Sequence, residues 1–488
     1  MNAEIKAIIE GNAPMKQKEI IKQWVDEWKT SHEYKWMLIG DRYYRNKTDI
    51  INRKRLVIGE GGEMVEDKNL ANNKLIYGFT RKLVDQKIGY LLSKQMSIKA
   101  EKQQYQDALN DLFNKSMHRT LKNLGKEAIN KGIAWLHVYY DENGVLSFKR
   151  MRSNEMIPIW VDEDHTQLQA MIRCYTVEVY EGKSKKEVKK VEWWDTNGIK
   201  RYIYDGGLIP DEDDEDSEEL KLLKSSHYSA IKNGKEQPLN WERVPFIAFK
   251  ANDEEQPLIE LIKSLVDDYD KKSSDNSNNL EDLPNSIYVL KEYDGTDLGE
   301  FRRNMSAFRA VKVSGDGGVD TIGLEIDTEA FKTHQELNRK SIYEFGRGVD
   351  MQTEKFNGAT GIALKQLYND LDMDANILET EFQASLEQLL WFINNHLANT
   401  NVGDFENEKV EFIFNRDILM SESDVITDAA NSVGMISNKT IRANHPWVSD
   451  PDEEEKQMKK EKEEDMLQYP DANDPNDPNK EVIEDEIT

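Results

Sequence analysis

Apolar residues recur at helical spacing through the first 130 positions. Lys16–Trp28 places Ile20, Ile21, Trp24, Val25 and Trp28 on one face, which predicts a helix. Ser31 is placed to cap a second helix carrying Trp36, Ile39 and Tyr43. Asn72–Ser93, with Leu75, Ile76, Phe79, Leu83, Ile88 and Leu92, predicts a third helix, and Tyr105–Asn130 a fourth. These stripes read as core.

At Gly132 the period changes to two. Ile133–Tyr140, the turn Asp141–Gly144 and Val145–Met151 predict a hairpin, Asn-Gly suiting a primed turn. Further strands are expected at Met156–Trp160, Leu168–Val179 and Val244–Lys250, with a second hairpin from Lys189–Asp195 and Ile199–Tyr204. Pro257 opens a helix whose stripe is Leu258, Leu261, Ile262, Leu265, Val266 and Tyr269. That stripe runs into the polar stretch KKSSDNSNNLEDLPN, ended by Pro284. Ile287–Ile326 alternates in short segments around a Gly-rich turn, SGDGG at 314–318, and a basic helix near Phe301–Arg309. Thr328–Val349 returns to helix, and Asp350–Thr360 is a short polar connection. From Ile362 to about Asn399 neither Gly nor Pro interrupts a helical pattern that would extend roughly 55 Å. Ser423–Val433, Lys439–Asn444 and a charged helix opened by Asp450-Pro451 follow, before a tail whose composition predicts disorder.

Composition narrows the possible functions. The 488 residues carry 92 acids against 65 Lys and Arg, a formal charge of −27. Much of that excess sits in the loop DEDDEDSEE at 211–219 and in the last 38 residues, so the body is only mildly acidic. Such a balance argues against coating nucleic acid, which requires basic side chains that displace counterions. The single cysteine, Cys174, permits no internal disulfide and no thiolate cluster. The N-terminus lacks an apolar leader, and the longest apolar run, IAWLHVYY, is too short to span a bilayer, so the chain reads as soluble with no membrane role.

Catalytic patterns are missing from the sequence. The GKS at Gly182–Ser184 has Val177 where a phosphate loop needs its first glycine. None of the eight histidines has zinc-ligand spacing, and the 211–219 run lacks the alternation and glycine of a calcium loop. No GxSxG occurs. The expectation is a non-catalytic assembly protein without metal or cofactor.

Several segments, in order, resemble the portal proteins of tailed bacteriophages, of the siphophage type found with Gram-positive hosts. They are DRYYRNKTDIINRKR (41–55), NNKLIYGFTRKLVDQKIGYLLSK (72–94), GIAWLHVYYDENGVLSFKRMRSNEMIPIWVDED (132–164), VPFIAFKANDEEQPLIELIKSLVDDYDKKSSDNSNNLED (244–282) and FNGATGIALKQLY (356–368). The resemblance spans about residues 35–400. It implies an α+β, mostly helical portal fold of wing, stem, clip and crown, assembled as a dodecameric ring with a central DNA channel at one capsid vertex. Mapped onto this chain, residues 1–256 form the wing, helices 257–283 and 328–349 the stem, and 284–327 the clip. Residues 350–360 form the tunnel loop, 361–420 the long wing helix and following strand, 421–470 the crown, and 471–488 an acidic tail.

The implied function is DNA packaging, retention and ejection from the virion, after assembly in the host cytoplasm; the alternatives are a terminase-like DNA-packaging enzyme and a minor capsid or scaffold protein of another fold. The implied partners are double-stranded DNA, terminase, a head-completion or adaptor protein, and the major capsid and scaffolding proteins. The pattern agrees: two helices separated by a roughly 45-residue insertion suit an antiparallel pair projecting a small lobe. Channel candidates are Lys332, Arg339, Lys340 and Arg347 on the stem, with Gln352, Lys355, Phe356 and Asn357 in the loop. The stem cations read equally as solvated helix charge or as intersubunit partners of Glu336 and Glu344.

Overall fold

The computed structural model of the chain describes residues 11, 16–58, 62–68, 70–182, 184–211, 216–232, 234–281, 286–293, 297–301, 313–323, 328–352, 366, 368–416, 422–443, 445, 447–448 and 451–468. Two compact units divide the chain, one from residues 1–351 with 368–417, the other from 352–367 with 418–488.

The first unit begins with helices α1 (Gln17–Trp28) and α2 (His32–Tyr44), then the short pair β1 (Leu56–Ile58) and β2 (Met64–Glu66). Ser31 caps α2 as expected, its side chain accepting the N–H of Tyr34. Helix α3 (Phe79–Leu92) is shorter than the periodicity predicted. Residues 72–78 lie outside it, and the backbone N–H groups of Asn73, Leu75 and Tyr77 are taken by side chains of another helix, described below. The predicted fourth helix is two: after strand β3 (Ser97–Ala100) come α4 (Gln103–Leu112) and α5 (Lys115–Lys131). Asn114 breaks them, its side chain capping the N–H groups of Ser116 and Met117.

Strands β4 (Ile133–Tyr140) and β5 (Leu146–Met151) form the expected hairpin. Its turn differs: Gly144 alone takes a positive φ, and Asp141 accepts the N–H groups of Asn143 and Val145, so the link is an Asp-capped turn with one left-handed glycine and not a primed turn. Strands β6 (Met156–Trp160), β7 (Leu168–Glu181), β8 (Ser184–Asp195), β9 (Gly198–Tyr204) and β10 (Leu208–Pro210) build an antiparallel meander in sequential order. Part of the acidic run becomes helix α6 (Glu218–Ser225), because Ser217 accepts the Leu220 N–H as its cap. Residues 212–215 of that run lie outside the described residues. The pair β11 (Tyr228–Lys232) and β12 (Lys235–Leu239) follows, and β13 (Phe246–Lys250) completes a three-stranded sheet ordered β13-β4-β5.

Ile21 and Val25 of α1 are buried on one face of the meander, against Ile157, Ile172, Val191 and Trp193. A second core, including Trp135, Met156, Met171, Trp194 and Phe246, fills the space between the two sheets.

Helix α7 (Leu258–Glu281) continues into the polar stretch as far as Glu281. Strands β14 (Ser286–Tyr293) and β15 (Val313–Gly323) pair antiparallel, and the SGDGG predicted as a turn sits inside β15. The register jumps there, Lys291 facing Gly318 and Tyr293 facing Val313, with Gly315 at φ 60°, so the glycines form a bulge. The basic helix expected near Phe301–Arg309 lies almost entirely outside the described residues. Helix α8 (Thr328–Phe345) precedes the long α9 (Asn369–Asn399), about 46 Å of helix. The helix begins at Asn369, and of residues 362–368, expected to extend it, only 366 and 368 are described. Helix α9 buries Phe382 against Phe249 of β13, and Ser385 donates to Ala248 O at 2.6 Å. Strand β16 (Val410–Ile413) pairs with β3. The result is an α+β chain in which helices outweigh strands, with no helix long and apolar enough to cross a membrane among the described residues.

The second unit contains α10 (Glu422–Asn431), α11 (Asn438–Ala443) and α12 (Pro451–Gln468). Arg442 joins α11 to α12 through Glu455 at 2.7 Å. The acidic tail, 471–488, lies outside the described residues.

Candidate functional site

Helices α7 and α8 pack antiparallel along a seam that is polar where a core is normally apolar. Gln335 Nε2 donates to Ser273 Oγ at 3.0 Å, and Asn338 Nδ2 donates to Leu265 O at 3.1 Å. His334 lies 2.8 Å from Asp268. At the base of the pair, Tyr269 meets Phe79 edge-on, and Phe79 meets Tyr343 the same way.

The opposite side of α7 carries a ladder. Asp270, Ser274 and Asn278 are all buried and stand four residues apart. They accept the backbone N–H groups of Tyr77 at 2.9 Å, Leu75 at 3.0 Å and Asn73 at 2.6 Å. Four helical residues rise about 6 Å, so residues 73–77 advance about 6 Å for every two residues, which is extended chain. Residues 73–77 of the segment read as helix are thus extended chain whose backbone is paired by the side of a helix. Thr48 completes the arrangement by donating to the second oxygen of Asp270 at 2.7 Å. Burial raises the Asp270 carboxyl to about 6, against the opposing pull of the Thr48 and Tyr77 hydrogen bonds.

Helix α3 holds both flanks of the connection between α8 and α9. Leu83, Gln86, Lys87 and Tyr90 form one face at helical spacing. Gly346 and Gly348 pass so near Leu83 that a Cβ on them would stand 2.7 and 2.2 Å from its methyl groups. Gln86 pairs its amide with both backbone groups of Val349, donating at 3.0 Å and accepting at 2.9 Å. Lys87, 5% exposed, donates to Arg347 O at 3.2 Å and to Asp374 at 2.5 Å. Burial lowers its ammonium below the usual lysine range, while Asp374 opposes that shift. Tyr90 stacks on Tyr368 and donates to Asp372 at 3.0 Å.

The predicted channel cations divide by environment. Lys332 is exposed, 3.8 Å from Glu336 of its own helix, and Lys340 is exposed on the same helix. Arg339 is held bidentate by Asp350 at 2.6 and 2.7 Å, which raises its already high pKa. Arg347 takes a positive φ of 47° and reaches Asp374 at 3.5 Å. Gln352 stands exposed in a turn, while Lys355, Phe356 and Asn357 lie outside the described residues. The anchoring residues Gln86, Lys87, Tyr90 and Asp374 were not singled out in the sequence; a lysine and a glutamine on an otherwise apolar helix face were the available signal. Among the described residues no group of three His, Cys, Asp or Glu can hold a metal ion.

The arrangement is an antiparallel helix pair joined through a hairpin and followed by a doubly anchored connection. Residues 27–467 match the phage portal protein family described as SPP1 Gp6-like, and the chain belongs to that family of structural, non-enzymatic proteins. It is 30% identical over 465 residues to the portal protein of Bacillus phage SPP1, covering 92% of this chain and 86% of that one. It is also 30% identical over 442 residues to the portal protein of Clostridium phage phiCD119, covering 87% and 92%. Among solved structures, a chain in the neck of a native GTA particle matches with a TM-score of 0.36 and 14% identity, over 75% of this chain and 89% of that one.

Proposed function

We propose that the chain forms a closed dodecameric ring whose central channel passes double-stranded DNA during packaging, retention and ejection. The observation that carries this reading is the pairing of α7 with α8, with β14 and β15 in the connection at one end and the anchored flanks 346–349 and 368–374 at the other. In this assignment α7 and α8 are the stem, β14–β15 belong to the clip, residues 350–360 are the tunnel loop, and α10 to α12 supply the crown. The α1–β13 region, with α9 and β16, is the wing.

A two-stranded hairpin has too little core to be stable alone, so the clip orders against neighbouring copies. It is the expected docking surface for terminase and the head-completion protein, whereas capsid and scaffolding proteins meet the wing. With a net charge of −27, and with Arg339 already neutralised, the lining meets backbone phosphates transiently and reads no sequence.

Electron microscopy of the purified chain is expected to show rings with an axial hole. Packaging reactions with a chain lacking 288–325 are expected to lose terminase engagement while the wing stays folded. A chain that remains monomeric at micromolar concentration under all salt conditions, or a deletion that binds its partners normally, defeats the respective part of the reading.

A further inference from the structure

We propose that Lys87 is a positioning residue that holds the last turn of α8 and the first turns of α9 in a fixed register, with α3 as their common post. The inference rests on the reading that the chain between those helices lines the channel.

Along one face of α3, Leu83 and Gln86 meet the α8 flank, at Gly346, Gly348 and Val349. Tyr90 meets the α9 flank, at Tyr368 and Asp372. Lys87 lies between them and touches both, through Arg347 O and the Asp374 carboxylate. Arg347 Nη1 and Asp374 Oδ1 close the triangle at 3.5 Å. Two chain segments that are distant in sequence are thus tied through one ammonium group, whose donors point in fixed directions.

A buried ion pair of this kind adds little net stability, because desolvating the charges offsets their attraction. What it supplies is registry. An apolar side chain of similar length fills the same space but accepts any relative shift of the two flanks. The backbone of the α8 flank is otherwise well suited to staying in place: the amides of Gly346, Arg347 and Gly348 bond to Ile342, Glu344 and Tyr343 carbonyls. The Val349 amide, bonded to Gln86 of α3, reports directly on the lock, since it is freed to exchange with solvent when the flank lifts from α3.

The test compares assembled full-length wild type with Lys87→Met by hydrogen exchange and thermal melting. The proposal expects exchange at Gly346–Val349 and at Met373–Ile377 to rise together by about tenfold or more, while exchange across the sheets stays at the wild-type rate whatever the fall in melting temperature. Asp374→Asn, which keeps the shape of the site, is expected to loosen the same two flanks to a smaller degree, and it decides the matter should the methionine variant fail to fold. Loosening of one flank alone, or a uniform rise across α3 and the sheets, overturns the lock. The exchange measurement involves no DNA. If both flanks loosen and the variant rings still package and retain DNA at the normal rate, the lock stands and the channel reading falls.

Discussion

Asp270, fully buried in the middle of α7, accepts the backbone N–H of Tyr77 on one oxygen and the Thr48 hydroxyl on the other. Its neighbour Asp267 adds negative charge nearby, itself partnered by Lys263 at 2.6 Å. Burial puts the Asp270 carboxyl near 6, above its ordinary 3.8. A group raised in this way stabilises the fold fully below pH 3.8 and loses that contribution as pH rises through about 6. Asp270→Asn keeps the acceptor for Tyr77, and the Thr48 hydroxyl can turn to accept. The variant is expected to be more stable than wild type at pH 8 by on the order of 2 kcal/mol, and equal to it at pH 3.5. Denaturant titrations at the two pH values check this; an equal offset at both contradicts it.

Asn278 ends the same ladder. Its Oδ1 accepts the Asn73 N–H, while its Nδ2 has no hydrogen-bond partner among the described residues. Asn278→Ala strands one backbone donor and is expected to cost about 1–2 kcal/mol. Hydrogen exchange should place the damage at residues 72–75 and leave α7 intact, because the lost acceptor serves the strand and not the helix.

Two buried histidines are expected to weaken the fold in acid. His137 packs among Phe246, Trp194 and Tyr139, and burial, reinforced by Arg173, His227 and Lys149, pushes its imidazole down to about 3. His227 falls to about 4, chiefly through burial, and its Nδ1 accepts the Trp241 N–H. With folded values below the ordinary 6.5, both contribute stability above pH 6.5 and lose it as pH falls towards 4 and 3. His137→Phe, which preserves the ring stack, is expected to flatten that acid slope by up to about 1 kcal/mol per pH unit. Melts between pH 7 and pH 4 give the comparison.

Arg339 and Lys340 are adjacent in sequence and opposite in circumstance. Arg339 is occupied by Asp350, and Lys340 faces solvent. Lys340→Gln is therefore expected to lower the salt dependence of duplex binding by assembled rings, while Arg339→Gln leaves the salt slope unchanged and frees Asp350. Binding isotherms at several salt concentrations distinguish them, and equal slopes for both variants count against Lys340 as a phosphate contact.

Apolar periodicity located α1, α2, α7, α8 and most strands, because in those elements burial follows the apolar residues. It misread Asn72–Tyr77, where Leu75 and Ile76 mimic a helical stripe while the deciding hydrogen bonds come from Ser274 and Asn278, about 200 residues away. It also passed over the break at Asn114, since Leu109, Phe113, Met117 and Leu121 keep four-residue spacing across two helices. The polar half of α7 looked solvated because composition cannot distinguish water from a neighbouring backbone as the partner of Asp, Ser and Asn. For the same reason the cations of α8 were visible as charges, but their partners were not: Asp350 and Asp374 are joined to Arg339 and Arg347 only by the fold.

The ladder between α7 and residues 73–77 also behaves as a vernier. Helix rungs repeat every four residues at about 6.0 Å, and an ideal strand offers a donor every two residues at about 6.6 Å. The two scales slip by roughly 0.6 Å per rung, which a hydrogen bond tolerates once or twice but not indefinitely. Three rungs, at Asp270, Ser274 and Asn278, are about as many as the mismatch permits. The segment can therefore move along the helix only in whole steps of two residues. Intermediate positions would leave three amides unpaired at once, so this contact has discrete settings and no continuous slide.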